Sequence, residues 1–293
     1  MPERASTAKF DHRVPDDGSF SLAEVPTRPP DGAGSKSDWN KELAERVEQL
    51  HELQRRLYAD GRYAVLAVFQ AMDAAGKDST IRKVFSGVNP AGFRCIAFGR
   101  PSTHELAHDF LWRCQQALPK RGKIGLFNRS HYEEVLVVRV HPEILAAQHL
   151  PGIDPAAVWE QRMESIRQWE QHLARNGVVV VKFWLNVSPD EQKRRLLARI
   201  DRPDKNWKFE IADLEVRERW QDYMHAYQEA LRHTARPHAP WYAIPADSKP
   251  YMRLAVARVM VETLEALDLR YPVVDEQQQA QLATGRARLM AED

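Results

Sequence analysis

The chain has 293 residues, 43% hydrophobic and 28% charged, a balance that suits a folded protein with a sizeable core and excludes a disordered or fibrous one. Its net charge of +1 gives no global basic field, so neither nucleic acid nor a membrane surface is expected as partner, and any anion site must come from local clusters of Lys and Arg. No apolar run approaches the roughly 20 residues that cross a bilayer, the N-terminus lacks the apolar stretch of a secretory signal, and the two cysteines, Cys95 and Cys114, suit a reducing, cytoplasmic compartment.

Residues 1–37 are rich in Pro, Gly, Asp and Ser and read as an irregular arm that wraps the domain or stays mobile. Asp38 is the expected N-cap of a helix to about Tyr58, with Leu43, Val47, Leu50, Leu53 and Leu57 on its apolar side. Short apolar runs then recur at Tyr63–Phe69, Phe93–Phe98, Ile124–Phe127, Val178–Leu185 and Trp241–Ile244. Helix-like stretches separate or follow them near 78–87, 104–118, 131–140, 155–175, 189–199, 211–234 and 248–267. Strands apolar throughout and alternating with helices predict an α/β fold, a parallel sheet covered on both faces. With no internal repeat and no linker after residue 37, residues 38–293 are expected to form one domain.

The first strand runs directly into QAMDAAGKDST, residues 70–80. A strand, a loop of small residues, Gly-Lys and a helix form the context of a phosphate loop. Ala74, Ala75 and Gly76 are small enough for backbone amides to converge on phosphate oxygens, and Lys77 adds a mobile ammonium. Asp78, Ser79 and Thr80 open a helix whose positive end faces the same anion. Ala71 stands where the first Gly of the common loop is usual, and Asp78 where Ser or Thr is. A carboxylate inside such a loop would repel phosphate unless a cation lay between, which makes Asp73 a candidate Mg²⁺ ligand.

Asn128, Arg129 and Glu133 follow the third strand, and ligands of parallel sheets bind beyond the carboxyl ends of strands. Asn128 and Glu133 are the further candidate metal ligands, and Arg129 would neutralise the transferring group. A surface ion pair between Arg129 and Glu133 is the plainer alternative. Residues 191–209 form the densest basic stretch, broken at Pro203 and Asp204, and are expected to fold as a helix–loop–helix lid over about 191–210. Arg195 and Arg199, four apart, would share a face of it and act jointly on phosphate. Lys83, Arg113, Lys120 and Arg121 are further candidates for guiding an anionic chain, and Trp159, Trp169 and Trp220 are expected to pack. HELAH, residues 104–108, matches a zinc-peptidase pattern, but no third histidine follows at the spacing such sites use.

Taken in order, MDAAGKDST (72–80), PSTHELAHDFLWR (101–113), IGLFNRSHYEEVLVVRVHPE (124–143), ARIDRPDKNWKF (198–209) and APWYAIPAD (239–247) resemble the family-2 polyphosphate kinases, over residues 38–268. The resemblance implies a thymidylate-kinase-like P-loop fold, a three-layer sandwich with a helical lid. It implies Mg²⁺ dependence, with Mn²⁺ as the alternative ion, and a homo-oligomer is expected. It also implies reversible phosphoryl transfer between inorganic polyphosphate and the adenine nucleotides AMP and ADP. Carried over by position, it implies roles for Asp73, Lys77, Asn128, Arg129, Arg195 and Arg199, and Asn128 with Glu133 looks like the subgroup that accepts both AMP and ADP. An ATP-dependent nucleoside monophosphate kinase would share fold, loop and lid. A decayed nucleotide-binding regulatory module is opposed by the retained Lys77, Arg129 and lid arginines.

Overall fold

The computed structural model describes residues 11–292. Five strands, β1 (Ala64–Gln70), β2 (Phe93–Ala97), β3 (Ile124–Asn128), β4 (Val178–Asn186) and β5 (Trp241–Pro245), form one parallel sheet in the order β2-β3-β1-β4-β5. Every residue of β1 is buried, as a strand covered on both faces requires. From β1 the chain goes to the β2 edge, returns as β3 beside β1, then crosses to β4 on the other side of β1. That reversal opens a crevice at the carboxyl ends of β1, β3 and β4.

Helices cover both faces. Lys249–Glu265 is apolar on nearly every side because it lies between the sheet and the long helix Lys36–Asp60, and it also meets the helix Lys77–Val84. On the opposite face Val158–Arg175 packs on β4 and against Trp220–Thr234. The long helix begins at Lys36, with Ser35 as its N-cap. The expected cap, Asp38, is the third helical residue of a capping box, returning a bond to the Ser35 amide.

The first ten residues of the expected arm lie outside the described residues. From residue 11 the arm lies along the edge of β5, where the Val14 amide donates to the Trp241 carbonyl and the Ala243 amide to that of His12. Val14 and Phe20 are buried beneath it.

Three expected helices are interrupted. The stretch 104–118 is two short helices, Thr103–Leu106 and Trp112–Gln116, because Asp109 folds back to accept from the Leu111 amide. The stretch 131–140 is a 3₁₀ turn, His131–Glu134, followed by the short helix Val137–Val140, and 211–234 divides at Arg219 into Ala212–Glu218 and Trp220–Thr234. A further helix, Glu276–Met290, has no buried residue and was without a signal in the apolar pattern. Among the described residues no helix is long and apolar enough to cross a membrane.

Candidate active site

The carboxyl ends of β1 and β3 are brought together by register. Phe69 sits opposite Asn128, and the Arg129 amide donates to the Phe69 carbonyl at 3.0 Å. The loop after β1 and the turn after β3 therefore leave the sheet side by side. In the loop, Ala74 and Gly76 both have positive φ, +60° and +111°. Gly76 suits that conformation, and a Cβ there would also stand 3.1 Å from Met252 Cε. The helix Lys77–Val84 begins immediately after it, so its positive end faces the loop.

Lys77 is buried, and its Nζ donates to the Ala71 carbonyl at 2.7 Å. Burial lowers the pKa of its ammonium, opposed chiefly by the nearby carboxylate of Asp73. Asp73 Oδ1 in turn accepts from Arg129 Nη2 at 2.9 Å. Burial works against the charge of Arg129, but Glu133 and Asp73 outweigh it and raise its pKa. For Glu133, burial raises the pKa; Arg129 and Lys77 oppose the rise and Asp73 adds to it. With its amide turned to donate, Gln70 Nε2 lies 2.8 Å from Glu133 Oε1. Asp73, Lys77, Arg129 and Glu133 thus share one cleft and one electrostatic field. The alternative of a surface pair between Arg129 and Glu133 gives way to a bridge from Arg129 to Asp73.

Asn128 stands apart from that bridge, its Nδ2 donating to Asp78 Oδ1 at 2.7 Å. Ser79 Oγ donates to the Gly76 carbonyl at 3.0 Å, and Thr80 Oγ1 is buried without a hydrogen-bond partner. Among the described residues no group of three or more His, Cys, Asp or Glu could hold a metal. The donors do fit an ion held mainly by substrate: Mg²⁺ prefers one or two carboxylates plus phosphate oxygens and water. Asp73 and Glu133 are hard oxygen donors, and the charge of Asp73 adds to the cost of charging Glu133.

The helix Pro189–Ile200, in the stretch expected to form a lid, separates the two arginines expected to act together. Arg195 is buried and lies against the loop: Nη1 donates to the Ala75 carbonyl, and Nη2 to the Ala246 carbonyl at 2.7 Å. Its charge is held by Glu191, whose Oε1 lies 2.6 Å from Nε. Arg199 instead pairs with Asp213 at 2.9 Å, one turn further along the helix. After Ile200 the expected second lid helix is a turn and a 3₁₀ segment, Asn206–Lys208, with Asn206 capping the Arg199 and Ile200 carbonyls.

Lys120 and Arg121 precede β3, at the amino ends of the strands, and so stand on the far side of the sheet from the cleft. Arg113 donates to the Gly99 carbonyl beyond β2. The basic cluster that does adjoin the loop contains Lys249, Arg253, Arg82 and Lys205, which act electrostatically on one another or on Arg195. None of the four forms an ion pair among the described residues, and Arg253 Nε is buried without a partner. Lys249 and Arg253 lie on the first turns of the helix after β5, so their four-residue spacing was the readable signal. Gln192 was also missed: its Nε2 donates to the Asp73 carbonyl at 3.0 Å, tying the helix Pro189–Ile200 to the loop. Tyr223 and Tyr227, on Trp220–Thr234, have pKa values raised by burial and then by Glu133 and Asp73, so both hydroxyls lie within the field of those carboxylates. The HELAH stretch holds no metal group: its helix ends at Leu106, and the His108 ring stacks on Trp112 with centroids 4.0 Å apart.

A parallel α/β sheet with a Gly-Lys loop at its switch point and a basic helix beside it defines a P-loop-type phosphotransferase. Residues 33–272 match the family described as polyphosphate kinase 2, and the chain belongs to that family and is a kinase. It is 49% identical over 280 residues to the ADP-polyphosphate phosphotransferase of Rhodopseudomonas palustris, covering 95% of this chain and 97% of the relative. It is 46% identical over 262 residues to the AMP/ADP-polyphosphate phosphotransferase of Meiothermus ruber, covering 89% and 94%. Among solved structures, polyphosphate kinase 2 of Arthrobacter aurescens TC1 superimposes with a TM-score of 0.84 at 38% identity, covering 93% of this chain and 95% of that one.

Proposed function

We propose that this protein transfers a phosphoryl group reversibly between the end of an inorganic polyphosphate chain and AMP or ADP. The observation that carries the reading is the meeting of Lys77, Asp73, Arg129 and Glu133 in one cleft at the switch point of the sheet. The family and the names of its relatives support polyphosphate as the second substrate, against ATP acting on a nucleoside monophosphate.

In the forward direction a terminal phosphate oxygen of the nucleotide attacks the last phosphorus of the chain. The bridging P–O bond behind it breaks, and its electron pair leaves with the shortened chain. The nucleophile is already anionic near neutral pH, so the protein needs no strong base. Catalysis is positioning and charge neutralisation. The loop amides and the helix start at Lys77 cradle the transferred group, and the Lys77 ammonium turns from the Ala71 carbonyl to follow it. Arg129 neutralises charge from the β3 side. The unpaired Lys249, Arg253, Arg82 and Lys205 extend the positive surface beyond the loop and suit the rest of the chain. Asp73, Glu133 and the Asn128 carbonyl oxygen would hold Mg²⁺, or Mn²⁺ in its place. Such an ion supplies charge neutralisation on the phosphate oxygens. The combination of Asn128 with Glu133 resembles the subgroup that accepts both nucleotides, which supports AMP as well as ADP as acceptor.

The test is to incubate the protein with Mg²⁺, polyphosphate and either AMP or ADP, and to identify the nucleotides formed. ADP from AMP and ATP from ADP are expected; phosphorylation of AMP by ATP alone would overturn the assignment. Lys77→Ala should lower kcat by about two to three orders of magnitude.

A further inference from the structure

The middle of β4 carries a lysine in an otherwise apolar run. Lys182 is fully buried and stands opposite Val68 of β1. An ammonium there persists only if its protons are all used. They are: Nζ donates to Glu170 Oε2 at 2.6 Å, to the Tyr132 hydroxyl at 2.9 Å and to the Thr234 carbonyl at 2.9 Å. The single Tyr132 proton faces Glu170 Oε1 at 2.9 Å, with Thr234 Oγ1 at 3.0 Å. Thr234 Oγ1 also accepts from Trp241 Nε1 at 2.9 Å. His131, equally buried, brings Nε2 to 3.6 Å from Glu170 Oε1.

This network joins the 3₁₀ turn after β3, the helix Val158–Arg175, β4, β5 and the end of Trp220–Thr234. Two of these border the cleft. Tyr132 is the neighbour of Glu133, and Trp220–Thr234 carries Tyr223 and Tyr227, which lie within the field of Glu133 and Asp73. Stability alone does not account for the pair, because well-packed apolar residues often serve as well or better in place of a buried ion pair. What charge and hydrogen bonds add is direction: they fix the Tyr132 hydroxyl at one point, where apolar packing would let the turn slide.

We propose that the Lys182–Glu170 pair is a positioning device that pins the Tyr132 hydroxyl from beneath and so holds the Glu133 carboxylate in register with Lys77 and Arg129. The pair touches no substrate and acts only through Tyr132. The inference rests on the reading that Glu133 works in phosphoryl transfer.

Tyr132→Phe removes one hydroxyl and keeps the ring, so it tests the link with least risk to folding. It is measured alone and in combination with Glu133→Gln, with polyphosphate and ADP as substrates, and with melting curves to establish folding. Glu133→Gln alone is expected to lower kcat about tenfold or more. Tyr132→Phe is expected to lower kcat about three- to tenfold while KM for polyphosphate stays within about twofold. In the Glu133→Gln background the same change should have almost no effect, since the group it positions is gone. Lys182→Met with Glu170→Gln, if folded, should reproduce the Tyr132→Phe pattern at greater amplitude; if it does not fold, the Tyr132 cycle decides alone. A Tyr132→Phe loss that is equal in both backgrounds, or absent in both, overturns the positioning role while leaving the site intact. Full activity of Glu133→Gln overturns the underlying reading, and the inference with it.

Discussion

Arg129 reaches from the end of β3 to Asp73 in the loop after β1, a contact of 2.9 Å between residues 56 apart in sequence. The bridge neutralises a carboxylate that would otherwise face an incoming phosphate, and it uses only Oδ1, which leaves Oδ2 for a cation. Asp73→Asn removes the charge that both partners answer. The expected result is a kcat lower by at least about tenfold and a Mg²⁺ requirement shifted to higher concentration. Steady-state rates across a Mg²⁺ titration check it; full activity with the wild-type midpoint would remove Asp73 from the site.

Arg195 and Arg199 should fail in different ways. Arg195 is buried with its fork on the Ala75 and Ala246 carbonyls, a geometry that lysine cannot reproduce. Arg195→Lys is expected to destabilise the fold by about 1–3 kcal/mol and to raise KM for polyphosphate as the loop loosens. Arg199 makes a partly exposed ion pair with Asp213. Asp213 lies within the field of Asp73, so the pair stands near the site; replacement of Arg199 by Ala should change stability by under about 1 kcal/mol yet lower kcat about tenfold or more. Melting curves and saturation kinetics on the two variants separate these outcomes.

Lys249 supplies a pH dependence. Burial first, and then Arg195, Arg253 and Lys205, depress its pKa from 10.5 to about 8. A lowered lysine pKa means that the charged form is lost earlier as pH rises. The affinity for a polyanion should therefore fall as pH climbs through about 8, seen as an increase in KM for polyphosphate. Arginine stays charged over that range, so Lys249→Arg should flatten the alkaline increase. An unchanged pH profile in that variant would sink the assignment.

The arm gives an acid limb in stability. His12 bonds the Tyr251 hydroxyl at 2.8 Å, and burial lowers its pKa from 6.5 to about 4. The imidazole is neutral in the fold, while the unfolded chain takes up a proton below about 6.5. Stability from this group is thus complete above that value and declines as pH falls toward about 4. His12→Gln keeps a hydrogen-bonding side chain that does not titrate. The melting temperature of wild type should drop more steeply than that of the variant between those two pH values.

Much of this was written locally. The apolar runs at 63–69, 124–127 and 178–185 sit where β1, β3 and β4 lie, and the Gly-Lys turn falls between β1 and its helix, because strand burial and turn conformation depend on neighbours in the chain. The helix Glu276–Met290 escaped notice for the same reason: exposed all along, it has no apolar period to read.

Which groups meet across the fold was decided only by packing. Four-residue spacing put Arg195 and Arg199 on one helix face, but the loop carbonyls lie under the first and Asp213 under the second. Lys120 and Arg121 were among the residues expected to guide an anionic chain, but strand direction puts them at the opposite end of the sheet from Lys249 and Arg253. Composition and spacing set what each side chain can do; the parallel register of β1 with β3 and β4 sets which of them share a cleft, because hydrogen bonds and charges act over a few ångströms and not along the sequence.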